Sequence, residues 1–336
     1  MMGQRENIDC FLPCDDLAVV EPLVDQMRQS SAVQHINLLV TTGFAGSNKP
    51  LKDTSFIIVD SISSSRAMLS IAENTDADYA LLYAKTTPLT LGYYALERLQ
   101  QVARETKAML VYSDHYSMEN GERLAHPVID YQQGSIRDDF DFGSLVLIDG
   151  NALRDYARSH DDTDWTYAGN YELRLWLSRR GALVHLNEYL YTEQEFDTRR
   201  SGEKQFDYVN PRNRDVQVEM EKVATRHLDA IGAIVDTTKY RDPDFGEQHF
   251  DIEASVIIPV YNREKTIRDA IVSALGQRTT FKFNVIVVDN HSTDATGRII
   301  DEVAAAHQPS HNDAGLIHII PQRHDLGIGG CWNLAV

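Results

Sequence analysis

Three cysteines in 336 residues, Cys10, Cys14 and Cys331, are too few and too scattered for a disulfide framework. Cys10 and Cys14 flank a strand end, but no further Cys or His cluster completes a zinc site around them. Basic residues are scarce as well: 32 Lys and Arg stand against 50 Asp and Glu, a formal net charge of −18. Such a balance repels a phosphate backbone and argues against nucleic acid as a partner. No apolar run is long enough to span a bilayer, and the opening MMGQRENIDC lacks the apolar core of a signal peptide. These absences predict a cytoplasmic protein, at most peripheral at the inner face of a membrane. The length predicts two domains.

What is present is concentrated in residues 254–297. The apolar run SVIIPV ends in Tyr261-Asn262-Arg263, and a helical pattern follows with Ile267, Ala270, Ile271, Ala274 and Leu275 on one face. A second apolar run, VIVV, delivers Asp289 and the polar turn Asn290-His291-Ser292-Thr293-Asp294. Strands apolar on both faces belong to a buried parallel sheet. Polar groups gather at the C-terminal ends of both, where open α/β sheets bind ligands. Asn262, Ser292 and Asp294 also suit the plainer work of capping helices.

The layout occurs twice. Residues 8–41 run parallel to 255–289, each with a strand reaching a proline (Pro13, Pro259), a polar turn, an amphipathic helix and a second strand. In the first copy Leu17, Val20, Leu23, Val24 and Met27 form the buried stripe of that helix. Residues 56–72 parallel 318–335 in the same way, so the spacing predicts a duplication. The first copy then continues. It gives strands at 79–83, 108–112 and 142–148, the second of them ending in a Ser113-Asp114-His115 turn. A helix over 167–180 is closed by Gly181 as a left-handed cap, and a polar segment over 193–213 precedes a helix at 214–233. The predicted boundaries are 1–235 for the first domain, 236–251 for a linker and 252–336 for the second.

The pattern P-V-Y-N followed by V-V-D-N-x-S-x-D resembles the start of a family 2 glycosyltransferase of the GT-A fold. YSDHYSMENGERLAHP and YAGNYELRLWLSRRG are similar to later segments of the same family. The resemblance implies an α/β, Rossmann-like fold: a mixed, mostly parallel sheet flanked by helices, followed by the first part of a second such domain. It implies sugar transfer, with inversion, from a nucleotide-diphospho-sugar to a hydroxyl of a saccharide or lipid-linked acceptor, in polysaccharide or glycoconjugate synthesis. The nucleotide would meet Pro259, Val260, Tyr261, Asn262, Asp289, Asn290 and Gly327. Asp289 would accept a hydrogen bond from the base, and Tyr261 would border base and ribose.

The resemblance also implies a divalent metal, Mg or Mn, held by an acidic motif. In the second copy that motif and the acceptor base would lie past Val336, so this chain itself is expected to bind no metal. The chain reads as a fragment of a longer tandem transferase, with an open strand edge prone to self-association. In the first copy the acids are missing. Thr41 stands at the Asp289 place, and the exit of the fourth strand, Tyr83 to Pro88, carries no carboxylate. Gly169-Asn170-Tyr171-Glu172 replaces the family's E-D-Y-D, and Asn170 accepts no proton. Glu172, and Asp114 beside His115, are the remaining catalytic candidates; Lys85 is a candidate cation for phosphate. The first domain is therefore read as degenerate. Two rivals stay open. One is a catalytically dead scaffold. The other is a nucleotidyltransferase, although P-V-Y-N-R-E-K lacks the glycines of its usual loop.

Overall fold

Strand β1 (Ile8–Pro13) is buried at every position, with Cys10 and Leu12 in one apolar core and Phe11 in another. Two cores on opposite faces of one strand define a three-layer α/β/α arrangement. The structure is a computed structural model and describes residues 6–119, 121–161, 163–194, 214–241, 243, 246, 250–309 and 312–336. The chain divides into two compact units, Met1–Thr237 and Thr238–Val336.

In the first unit β1 leads through α1 (Leu17–Met27) to β2 (Val33–Val40), then α2 (Thr42–Ser47), β3 (Ser55–Ile58), α3 (Ser65–Glu73) and β4 (Tyr79–Tyr83). There follow β5 (Leu89–Leu91), α4 (Ala95–Thr106), β6 (Leu110–Glu119), β7 (Glu122–His126) and β8 (Leu145–Asp149). The unit ends with α5 (Gly150–Ser159), α6 (Gly169–Ser178), β9 (Leu183–Gln194) and α7 (Arg214–Ala230). The sheet order is β3-β2-β1-β4-β8-β6-β9-β5, with β7 hairpinned onto β6. β1 is central, parallel to β2 on one side and β4 on the other; β8 enters antiparallel between β4 and β6. Helices α1 and α4 cover one face through Val20, Leu23, Leu96 and Leu99. Helices α3, α5 and α6 cover the other through Met68, Leu153 and Trp176. This is the mixed, mostly parallel sheet that the resemblance implied.

Three local expectations change. β6 does not stop at a Ser113-Asp114-His115 turn; it runs on to Glu119 because β9 and then β7 supply it with partners. Gly181 is not a left-handed cap: α6 ends at Ser178, and a Cβ on Gly181 would sit 2.8 Å from Met109 Cγ. The glycine there makes room for packing rather than for a turn. The polar segment starts later than 193, since β9 extends to Gln194, and its positions 195–213 lie outside the described residues.

The second unit opens with β10 (Ala254–Val260), α8 (Ile267–Leu275) and β11 (Phe283–Asp289). It continues with α9 (Thr296–Ala306), β12 (Asp313–Ile319) and α10 (Ile328–Ala335). Its sheet is parallel throughout, in the order β10-β11-β12. Ile267 and Ile271 of α8 and Ile300 of α9 pack with Val285 and Val287 on one face. Cys331 of α10 packs with Ile286 and Val288 on the other.

Candidate nucleotide-binding site

The C-terminal ends of β10 and β11 lie side by side, with Val260 registered against Asp289. The Asn290 N–H extends the ladder by one bond, donating to the Val260 carbonyl at 2.9 Å. Beyond this point the two loops are laced together. Asn262, in the left-handed region at φ 50°, accepts the Thr293 N–H on its Oδ1 at 2.8 Å, and its own N–H donates to Ser292 Oγ at 2.9 Å. The Arg263 N–H donates to Thr296 Oγ1 at 2.7 Å. Asp294 accepts from Thr296 N at 2.9 Å and Glu264 N at 3.2 Å. Slight burial raises the Asp294 pKa, yet those N–H donors outweigh it and leave the carboxyl below its usual value. Asn262, Ser292 and Asp294 thus tie the two loops to each other, and the N-caps of α8 and α9 are Thr266 and Ala295 instead.

Asp289 is 3 % exposed. Its Oδ1 accepts the Ser292 N–H at 2.9 Å, and its Oδ2 lies 3.1 Å from where a Cβ on Gly297 would stand. The carboxylate is therefore directed into the turn and toward the start of α9. Asn290 is placed differently. Its Nδ2 donates to the Leu326 carbonyl at 2.7 Å, while its Oδ1 is buried without a hydrogen-bond partner. His291 Nε2 lies 3.0 Å from the Arg323 carbonyl, and its ring stacks on His324 at 3.8 Å. Together these contacts bring the 323–327 loop against the end of β11. Tyr261 is 55 % exposed at the rim, with Pro259 half-buried and Val260 buried behind it. Gly327 precedes α10 in extended conformation, and a Cβ there would meet nothing within 4 Å, so space alone does not require a glycine.

The first unit presents another surface at the equivalent edge. Counting from the prolines, Pro13 faces Leu39 and Pro259 faces Val288. One step on, Asp289 is matched by the buried Val40 rather than by Thr41. Thr41 repeats only the local turn, its Oγ1 accepting the Phe44 N–H at 3.3 Å. Asp114 is buried and taken up by the Val128 N–H at 2.8 Å and His185 Nε2 at 2.9 Å. Glu172 is held by the Tyr156 hydroxyl at 3.0 Å, His160 Nε2 at 3.1 Å and Arg226 Nη1 at 3.3 Å. Asn170 lines one cavity and Glu172 another, so the two do not share a site. Lys85 is no free cation: its Nζ lies 2.5 Å from Glu193 Oε1. Glu193 is 1 % exposed and also takes Ser144 Oγ and, at 3.4 Å, His115 Nε2. Burial pushes its pKa up, but those three donors outweigh burial and hold the carboxyl at about 2.

Residues 255–336 match the sequence profile of Glycosyl transferase family 2. The resemblance read from the P-V-Y-N and V-V-D-N motifs therefore holds over this segment. Uncharacterized proteins of Mycobacterium tuberculosis and Mycobacterium bovis are 49% identical over 51 residues, a match spanning 15% of this chain and 15% of theirs. Among solved structures, S. aureus TarS in complex with UDP-GlcNAc gives a TM-score of 0.46 at 8% identity, covering 66% of each chain. Mannosyl-3-phosphoglycerate synthase from Rubrobacter xylanophilus gives 0.39 at 11% identity, covering 70% of this chain and 78% of that one. The mannosyltransferase PcManGT from Pyrobaculum calidifontis, in complex with GDP-Man and Mn2+, gives 0.38 at 9% identity over the same shares.

Within the family 2 segment the acids are already engaged: Asp325 with Arg323 at 2.7 Å, Asp294 with main-chain N–H groups, Asp289 with its own turn. Among the described residues of the whole chain, no three His, Cys, Asp or Glu side chains gather where a metal ion could sit. These residues do not fit Mg²⁺ or Mn²⁺, which need several converging oxygens. One residue escaped the sequence reading. His318 on β12 stands 3.9 Å from Asp289 Oδ2 through Nε2, and its Nδ1 lies 2.8 Å from Asp301. Its only signal was a lone histidine inside the apolar run GLIHII.

Proposed function

We propose that this chain is part of a glycosyltransferase whose family 2 segment holds the nucleotide of a nucleotide-diphospho-sugar donor. The base rests against Tyr261 and the Pro259–Val260 strand end, and a ring N–H donates to Asn290 Oδ1. The observation that carries this reading is the lone Asn290 acceptor. A buried oxygen without a partner costs roughly 1–3 kcal/mol, and a base N–H seated there relieves it. Asp289 acts one step behind, fixing the turn that presents Asn290. Tyr261 supplies a ring face for the base or ribose.

On this reading the sugar passes, with inversion, to a saccharide or lipid-linked hydroxyl, as the resemblance implies. The first unit is the degenerate copy on this reading: Asp114, Glu172 and Lys85 are all spent on internal partners. Three free, buried cysteines suit a reducing compartment such as the cytoplasm, and among the described residues no helix is long and apolar enough to cross a membrane.

Titration calorimetry with uridine and guanosine diphosphates tests the site. One of them binds, and Asn290→Ala and Tyr261→Ala each weaken it about tenfold, the loss of one hydrogen bond or one stacked face. Urea stability stays unchanged in Tyr261→Ala, and Asn290→Ala, which also loses the bond to the Leu326 carbonyl, falls by about 1 kcal/mol. Binding indifferent to Asn290→Ala would remove the proposed base contact.

A further inference from the structure

Helices α5, α6 and α7 of the first unit enclose a cavity of about 300 Å³ that none of the roles above explains. Its lining is cationic in a chain of net charge −18. Arg179, Arg180 and Arg226 stand around it, with His160 and His227 buried at its floor. Two acids share the space, Asp161 and Glu172, and both are taken by one guanidinium: Arg226 lies 2.5 Å from Asp161 and 3.3 Å from Glu172. Arg180 lies over the Trp176 ring at 3.3 Å. Among the described residues the Arg179 guanidinium has neither an ion pair nor a hydrogen bond, its main-chain N–H alone donating to the Leu177 carbonyl. Burial and the adjacent Arg180 lower its pKa, and the Glu172 carboxylate on the same cavity offsets only part of that.

The floor has the same deficit. His160 gives its Nε2 to Glu172 at 3.1 Å, and its Nδ1 is buried with no partner. His227, 4 % exposed, has a buried Nδ1 that is likewise unpartnered. Burial, with Arg179 and Arg174 nearby, depresses the His227 pKa. The His227 ring, with one nitrogen unpartnered, and the Arg179 guanidinium border one small volume, whereas His160, whose Nε2 already donates to Glu172, keeps only a lone pair on Nδ1. Guanidinium forks match oxyanions, and the His227 N–H, from another helix, adds a donor, which suits a tetrahedral anion. The volume lies at the low end for small-molecule sites, enough for a phosphate with a short organic group.

We propose that this cavity is an anion site that receives the phosphate of a small phosphomonoester, carried either on a soluble molecule or on a lipid headgroup. It is built from the first unit alone and does not depend on nucleotide binding by the family 2 segment.

The test is titration calorimetry of the full chain with sn-glycerol 3-phosphate, and with glycerol as the neutral control. Co-sedimentation with phosphatidylcholine vesicles doped with phosphatidic acid offers the same headgroup on a membrane. Glycerol phosphate is expected to bind and glycerol not. Arg179→Gln and His227→Asn each weaken binding about tenfold, whereas Asn290→Ala leaves it unchanged. Capture by the doped vesicles alone, lost in Arg179→Gln, assigns the lipid source. Arg179 is exposed, so Arg179→Gln leaves the fold intact and decides the matter even where His227→Asn lowers the melting temperature. The proposal is overturned if neither phosphate probe binds, or if binding is indifferent to Arg179→Gln.

Discussion

β1 and β10 are written in the same pattern, an apolar run ending near a proline, yet they are buried differently. β1 has neighbours on both sides and is closed to solvent at every residue; among the described residues β10 pairs with β11 alone, and only Val260 of its seven residues is fully buried. The polar edges above them differ in the same sense. In the first unit every charged candidate has an internal partner, and Glu193 gathers Lys85, Ser144 and His115 around itself. In the second unit the loops are stitched by main-chain bonds that leave Tyr261 open and one Asn290 oxygen unsatisfied. A strand pattern alone therefore does not distinguish a ligand edge from a structural one. On the proposed nucleotide reading, the accounting of polar partners at its end does.

The largest expected effect separates the two units outright. Gly169 starts α6 so close to the turn before α3 that a Cβ would stand 2.2 Å from Ser65 N and 2.3 Å from the Ser64 carbonyl carbon. Both obstacles are backbone and cannot swing aside. Gly169→Ala is expected to cost the first unit about 3 kcal/mol. In urea unfolding followed by hydrogen exchange, protection in β1 and β4 should fall while that in β11 stays. Equal losses in both sheets would show that the units are not separately stable.

Next comes the neutralised edge of the first unit. Glu193→Gln leaves the partly exposed Lys85 facing an amide at a buried position, at a cost of about 2 kcal/mol. The pH dependence has a definite sign. The Glu193 carboxyl titrates lower in the folded protein, at about 2 against an ordinary 4.5, so its stabilisation is present above pH 4.5 and is lost as the pH falls toward 2. Thermal melts of the wild type should show that loss, and Glu193→Gln should show a shallower slope across the same window, the remainder coming from other carboxyls held low such as Asp139 and Asp161. A wild type with no slope there would mean that Glu193 is not held as an ion.

Much of this was legible in the sequence. The run YALLY predicted β4 residue for residue, and the parallel spacing of the two copies predicted where β1, β2, β10 and β11 lie, because two-faced apolar runs leave few alternatives. Asp114 was legible as a polar residue near a strand, but not as one inside a longer strand, since the partners that extend β6 lie far along the chain in β9. Buried pairing is equally long-range: Lys85 and Glu193 are separated by 108 positions, and no local period joins them. The direction of a side chain was also hidden. VVDN does not say that Asp289 turns inward while Asn290 keeps an oxygen free; the lacing of Asn262 to the Ser292–Asp294 turn decides that.

The smallest expected effect tests whether that decision belongs to one residue or to the whole edge. Thr41→Asp places a carboxylate at the local position that Thr41 shares with Asp289, where its hydroxyl already accepts the Phe44 N–H. Asp is a slightly better N-cap than Thr, so the first unit should gain a few tenths of a kcal/mol. It should not gain nucleotide binding. The ladder places buried Val40 where Asp289 stands, and no counterpart of the laced Asn262 loop follows Pro13 among the described contacts. Calorimetry with uridine diphosphate on an Asn290→Ala, Thr41→Asp double variant therefore should show no restored binding. Recovery of affinity there would mean that a single carboxylate makes such an edge competent, and the contrast between the two units would reduce to one side chain.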